Sequence, residues 1–409
     1  MPVEQHSIER NTSEVRDPGY LTRSSALVAS LHLGFVLTGI VNTMLGPLLP
    51  FLSARWQLND LHAGNLFVAQ FLGSMVGVTG SSLLIPRKGS RFVLAFGLLM
   101  MAAGAAGLAV TSWSTGLVPF TLVGIGLGLG IPTTNLLISE LYASKRAAGL
   151  NLINLSWGVG AVICPFIIAA LQQTSGTVFL LYGVAVLDLA LVLILMQIAF
   201  PVVQKSTRGD FEAGALQKMW HSRYVPILGA IFFLYVGTEA SVGGWIASYA
   251  QRAMPSGTIW VLTPSFFWAS LLLGRSAAPM LLHRIRENRL SRFGLITALL
   301  GLGGCLAASN TGALAIATGF AGLGLSAVFP IAIAALSHKF GEMASRVAGL
   351  MFNLAGLGGA TLPWLVGLTS THTGNLKFGL FVPFLGCAAM LLLNLLLEPR
   401  TKPVSAVAA

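Results

Sequence analysis

Long apolar stretches, interrupted by Gly, Pro, Ser or clusters of charge, fill almost the whole chain. A helix needs about 20 mostly apolar residues to cross a bilayer. The interruptions cut the sequence into twelve such pieces, at 27–52, 62–84, 92–111, 115–139, 147–171, 177–200, 225–250, 259–282, 291–309, 312–337, 345–370 and 377–397. One long polar insert, 201–224, carries Lys205, Arg208, Asp210, Glu212, Lys218 and Arg223 and divides the pieces six and six. The pattern predicts an all-α membrane protein of twelve transmembrane helices in two pseudo-symmetric six-helix bundles. The expected units are a tail over 1–24, a first bundle over 25–200, a linker over 201–224, a second bundle over 225–398 and a tail over 399–409. The first 23 residues are polar, lack the apolar core of a cleaved signal peptide, and are expected to stay as a cytoplasmic tail.

Composition removes the soluble alternative. Apolar residues make up 55% of the 409 and charged ones 9%, too few to clothe a water-soluble surface. The net charge of +11 does not indicate nucleic acid, because the basic residues sit in short clusters between apolar stretches instead of on one face. Counting Lys and Arg in alternate loops orients the chain: with a cytoplasmic N-terminus the inner side collects 20 of the 24, the outer loops hold Arg55, Arg252 and Lys377, and Arg275 lies within the eighth helix. An inner (plasma) membrane protein with both termini cytoplasmic is the expectation.

The halves also repeat. Gly126-Leu-Gly-Leu leading to Pro132 recurs as Gly322-Leu-Gly-Leu leading to Pro330, and Arg146-Ala-Ala-Gly-Leu150 recurs as Arg346-Val-Ala-Gly-Leu350. Gly158-x-Gly160 with Pro165 is matched by Gly356-x-Gly358 with Pro363. A parallel duplication of six helices is the mark of a transporter that rocks two bundles around a midplane site.

These features resemble the major facilitator superfamily over about residues 25–400. The loop Ser82-Leu-Leu-Ile-Pro86-Arg87-Lys88-Gly89-Ser-Arg91 resembles its Gly-x-x-x-Asp-Arg-x-Gly-Arg hallmark, with Pro86 at the place of the Asp. Tyr235-Val-Gly237-Thr-Glu239-Ala-Ser-Val-Gly243-Gly244-Trp245, Phe267-Trp268, Gly274-Arg275 and Asn151-Leu-Ile-Asn154 are similar to the branch of sugar–proton symporters that includes the fucose permease and related glucose and galactose transporters. That branch places carboxylates in helices one and four; here Asn42 and Ile131-Pro132-Thr-Thr-Asn135 stand instead.

Candidate chemistry follows from depth. Glu239 lies about fourteen residues into helix seven, near the bilayer midplane, where a charge is costly and usually faces a cavity or a partner. It is the candidate for proton coupling or for binding sugar hydroxyls; otherwise it is a structural carboxylate bonded to Tyr235 or to nearby backbone. Asn42, Gln70, Asn135, Asn151, Asn154 and Asn353 are amides that need another helix or a wet cavity. The resemblance implies that helices one, four, five, seven, eight, ten and eleven line the cavity, and side chains that both donate and accept suit hydroxyl groups. Trp157, Trp245, Trp268 and Trp364 offer flat faces for a pyranose ring, with Trp245 and Trp268 favoured, whereas Trp56, Trp113 and Trp260 sit near helix ends as interface anchors. The expected substrate-binding set is Asn42, Gln70, Asn135, Asn154, Trp157, Glu239, Trp245, Trp268 and Asn353. Glu140 is expected to close a cytoplasmic gate with Arg87, Arg91, Arg146 and Arg346, and Asp188 to find a partner on a neighbouring helix.

Cys164, Cys305 and Cys387 fall inside apolar segments as packing residues, the glycine runs are helix-packing features, and the seven His residues are scattered. No cofactor, metal or enzymatic activity is expected. The partners expected are a monosaccharide, a proton and the bilayer, with the chain acting as a monomer. Secondary active import of a hexose or deoxyhexose by proton symport is the leading reading; a passive facilitator, a drug or metabolite exporter of the same fold, and a membrane sensor are the alternatives.

Overall fold

The computed structural model describes residues 18–171, 176–200, 222, 224–254, 259–341 and 344–396, and every regular element among them is helical. The helix α1 runs Pro18–Thr43 and continues as Leu45–Trp56; Met44 between them keeps helical dihedrals (φ −63°, ψ −27°), and only the hydrogen-bond ladder lapses there. Pro47 and Pro50 lie in the second segment; each lacks an N–H, so the carbonyls four residues earlier lose their helical donors, which is why the ladder lapses at this point. The turn after it is short. Gln57 takes a left-handed conformation with φ 51°, its N–H bonds Ser53 O, and the Asn59 side chain then accepts the N–H of His62 at 2.8 Å to cap the next helix.

That next run, Asp60–Val110, is broken at Gly89, where φ is 80° and ψ 161°. A residue with a Cβ would be strained there, and the bend falls in the Arg87-Lys88 loop, giving α2 over 60–88 and α3 over 90–110. The remaining spans are α4 (Trp113–Leu141), α5 (Arg146–Leu171), α6 (Gly176–Gln197), α7 (Tyr224–Ala253), α8 (Thr263–Leu282), α9 (Glu287–Ala307), α10 (Thr311–Leu325 and Val328–Phe340), α11 (Ala344–Thr373) and α12 (Phe381–Leu396). All twelve expected pieces are therefore helical. One boundary differs: α1 starts at Pro18, inside the stretch expected to be tail. Residues 1–17, nearly all of the 201–224 linker and the 399–409 tail lie outside the described residues.

The repeat seen in the sequence has a packing counterpart. A Cβ on Gly160 of α5 would fall 2.0 Å from the Val36 carbonyl of α1, and one on Gly358 of α11 would fall 1.9 Å from the Phe233 carbonyl of α7. Both glycines let a helix pair close backbone to backbone, at matching places in the first six and last six helices.

The apolar core is not evenly spread. One cluster joins both sets at the end opposite the basic loops, taking in Leu48, Leu49, Phe67, Trp245, Tyr249, Trp260 and Val366. Toward the basic end the last six helices have their own cluster of Val225, Leu228, Phe232, Leu336, Val347 and Met351. Outward-facing side chains such as Leu193, Leu273, Met280, Leu300 and Ile316 are more than 60% exposed and form an apolar belt suited only to lipid.

Candidate functional site

Between the two sets of helices lies a cavity of about 310 Å³, roomy enough for a small polar molecule. It is lined by Phe35, Asn42, Thr43, Leu45 and Gly46 of α1, Phe67, Gln70 and Phe71 of α2, Ile131 of α4, and Asn154 and Trp157 of α5. From the other set come Val236, Glu239, Ala240, Gly243 and Gly244 of α7, Trp268 and Arg275 of α8, and Phe329 of α10.

Residues of α1 and α2 make one wall. Gln70 Nε2 reaches across from α2 to the Asn42 carbonyl at 3.2 Å and to Asn42 Oδ1 at 3.4 Å. The amides are thereby held to one another at the cavity edge. Asn154 spends its Nδ2 on the Leu150 carbonyl of its own helix at 2.7 Å, which leaves its oxygen to accept. Trp157 and Trp268 meet edge to face across the two sets, with ring centroids 5.6 Å apart and planes at 84°. Trp268 packs against Gly243, where a Cβ would fall 2.6 Å from its ring. A larger residue at 243 would push the indole into the cavity.

The charged wall is made by α7 and α8. Arg275 Nη2 lies 3.5 Å from Glu239 Oε1 and donates to the Tyr235 hydroxyl at 3.0 Å. The Glu239 side chain is 13% exposed and that of Arg275 28%, so the pair reaches the cavity without being open to bulk solvent. Pairing offsets much of the cost of placing either charge at this depth. Tyr235 sits one turn before Glu239 on the same face of α7 and fixes the guanidinium from below.

Six of the nine expected binding residues meet here: Asn42, Gln70, Asn154, Trp157, Glu239 and Trp268. Three lie elsewhere. Trp245 is fully buried beside the cavity, donating Nε1 to the Pro363 carbonyl at 3.0 Å and stacking on Phe67 at 5.9 Å, so it serves as a plug and not as a wall. Asn353 is outside the lining, exposed, and donates Nδ2 to the Gly349 carbonyl of its own helix at 2.9 Å. Asn135 is outside the lining, its Oδ1 buried without a partner among the described residues. Asp188 is buried in α6, and among the described residues neither carboxylate oxygen has the neighbouring-helix hydrogen-bond partner expected for it. By sequence Arg275 is an intramembrane cation and part of the Gly274-Arg275 resemblance; its position thirty-six residues from Glu239 gave no pairing, although two opposite charges at mid-depth in successive helices are a signal for one.

The expected gate residues sit at the basic end, and among the described residues Arg87, Arg91, Glu140 and Arg146 form no ion pair with one another. Arg91 donates to the Ile198 carbonyl and stacks on Phe200 at 5.2 Å, and Arg146 Nε bonds the Ser139 carbonyl at 3.4 Å, all within the first six helices. Arg87 and Glu140 are exposed, and the Arg346 side chain lies outside the described residues. Among the described residues two ion pairs occur, Arg275 with Glu239 and Arg252 with Asp60, and neither is at the basic end. The cavity is sealed instead on the far side, where Gly46 abuts the Gly243 carbonyl and Phe67 fills the space over Gly244.

The chain matches the Major Facilitator Superfamily over residues 31–363. It is 24% identical over 387 residues to a glucose/galactose transporter of Brucella abortus, covering 85% of this chain and 88% of that one. Solved structures share the fold: a D-xylose–proton symporter at TM-score 0.74 and 15% identity, covering 92% of this chain and 98% of that one, and the E. coli fucose:proton symporter at 0.62 and 19%, covering 91% and 98%.

Proposed function

The chain belongs to the major facilitator superfamily, and we propose that it is a secondary transporter that imports a monosaccharide, a hexose or deoxyhexose, by alternating access with proton symport. The observation that carries this reading is the cavity itself. It gathers three amides, two edge-to-face tryptophans and one ion pair from both sets of helices at mid-depth. Amides that donate and accept suit the hydroxyls of a sugar, and the indoles suit its C–H faces. Two of the relatives are named as glucose transporters, for galactose in one case and mannose in the other, and a fucose symporter and a xylose symporter share the fold.

In this reading the basic end is cytoplasmic, both termini lie there in the inner membrane, and the chain works as a monomer. Helices built from both halves let a bound sugar draw them together, because the ligand can stabilise only the state to which it binds more tightly. Glu239 is the proton-coupling carboxylate; taking up a proton loosens its hold on Arg275, and losing it restores the pair. Arg87, Arg91, Glu140, Arg146 and Arg346 form the cytoplasmic gate when the inner side closes.

A second reading is supported by the ion pair. Arg275 gives Glu239 a permanent counter-charge, and a carboxylate held in that way can bind sugar without cycling a proton, which would make the protein a passive facilitator. Uptake of labelled hexoses into proteoliposomes, with and without an inward proton gradient, decides between them. Accumulation above equilibrium only with the gradient is expected; equilibration alone supports the facilitator, and no uptake of any hexose refutes sugar transport.

A further inference from the structure

At the end opposite the basic loops, Asp60 opens α2 directly after the Asn59 cap and faces the last turns of two helices from the other set. Arg252 of α7 donates from Nη1 to Asp60 Oδ2 at 2.7 Å and from Nη2 to Oδ1 at 2.6 Å, a two-pronged ion pair. Ser370 of α11 donates its hydroxyl to Oδ2 of the same carboxylate, and Thr371 Oγ1 accepts the N–H of Leu61 at 2.9 Å. The Asp60 carbonyl packs on Gly367, where a Cβ would fall 2.2 Å from it. Every one of these contacts crosses from the first six helices to the last six.

The cluster is too far from the cavity to touch cargo. Asp60 precedes Gln70 by ten residues and Arg252 follows Glu239 by thirteen, which at a rise of about 1.5 Å per residue is about 15 and 20 Å. Opening the cavity on this side must part α2 from α7 and α11, and so must break the pair and both hydroxyl bonds. We infer that Asp60, Arg252 and Ser370 form a latch that holds the far side shut and sets the balance between the two openings of the cavity, an inference that rests on the alternating-access reading above. A fork of charge-assisted bonds is among the stronger non-covalent contacts. The Arg252 side chain is 44% exposed, so water is at hand to solvate the parted charges. The latch therefore holds firmly yet releases reversibly.

The test is a distance measurement with no substrate present. Spin labels are placed at Ser114 and Ser309, exposed positions at the far end of each set, and double electron–electron resonance is read on the full chain in detergent. Asp60→Asn and Arg252→Gln are each expected to raise the ratio of the longer to the shorter distance about three- to tenfold. The double variant should go no further than the larger single shift, because both changes remove one interaction. Arg252→Lys, which keeps the charge and loses the fork, should fall between. Monodispersity and thermal unfolding certify that each variant is folded. Unchanged distances in folded Asp60→Asn and Arg252→Gln, or shifts that add in the double variant, overturn the latch. With no sugar in the sample, a failure of sugar transport would leave this result standing.

Discussion

Gly46 of α1 and Gly243 of α7 meet backbone to backbone on the sealed side of the cavity, and Gly46→Ala tests whether that seal governs access. An alanine Cβ at 46 would lie 2.2 Å from the Gly243 carbonyl oxygen and 3.2 Å from the Gly244 Cα. A carbon–oxygen contact settles at about 3.3 Å, so the helices must part by about 1 Å. The obstacle is main chain, which cannot swing aside as a flexible side chain would. Overpacking of this kind costs about 1–3 kcal/mol. The cost falls on the state sealed at this end and is absent once the helices separate, so the ratio of far-open to far-sealed molecules should rise about 5- to 150-fold. A cysteine introduced at Ala240, which lines the cavity, reports this ratio by its reaction with a membrane-impermeant maleimide applied to one side of sealed vesicles. Cys164, Cys305 and Cys387 are buried and add little background. Labelling from the far side should be slow in the parent and at least about fivefold faster with Gly46→Ala, and labelling from the basic side should slow. Gly183→Ala, where an added Cβ has nothing within 4 Å, is the matched control and should change neither rate. Folded Gly46→Ala with parental labelling from both sides would refute the reasoning.

Three further outcomes follow from the cavity. Glu239→Gln should abolish accumulation of sugar under a proton gradient while leaving counterflow exchange, since the amide imitates the protonated carboxyl; loss of both would make Glu239 a binding residue only. Arg275→Met strands the Glu239 carboxylate, so its unfolding temperature should fall by the equivalent of about 3 kcal/mol or more, and Glu239→Gln added to it should restore part of the loss. Trp268→Ala removes the edge-to-face partner of Trp157 and one wall of the cavity, so sugar affinity measured by fluorescence quenching should weaken about tenfold with little change in the fold.

Much of the architecture was legible because a span is a matter of length and apolar content, and all twelve pieces proved helical. The lapse in the hydrogen-bond ladder at Met44 was not singled out, although Pro47 and Pro50 stood in the sequence as its cause. Rotational phase was harder. A helix apolar on every side does not declare which face meets its neighbours, so Asn135, Asn353 and Trp245 were grouped with residues that line the cavity. Gln70 and Asn42 could be named singly, but their bond depends on how α2 leans on α1. Depth alone marked Glu239, whereas its pairing with Arg275 required the register of α7 against α8. Arg252 read as an ordinary loop charge and Asp60 was not singled out, since nothing in a sequence says that two helix ends 192 residues apart abut.

Thr43 and Gly46 line the cavity beside the interruption in α1, and their carbonyls are the ones whose usual helical donors were replaced by Pro47 and Pro50. Acceptors of that origin belong to the main chain, so replacing the Thr43 side chain or adding one at Gly46 does not take them away. Thr43→Ala would therefore leave these acceptors in place, and Gly46→Ala would act through its new Cβ on the seal and not through its carbonyl. Their contribution would surface only when Pro47 or Pro50 is changed to a residue that returns an N–H to the helix. Cargo selectivity that depends on these oxygens would drift little under ordinary point mutation and shift abruptly with the loss of either proline.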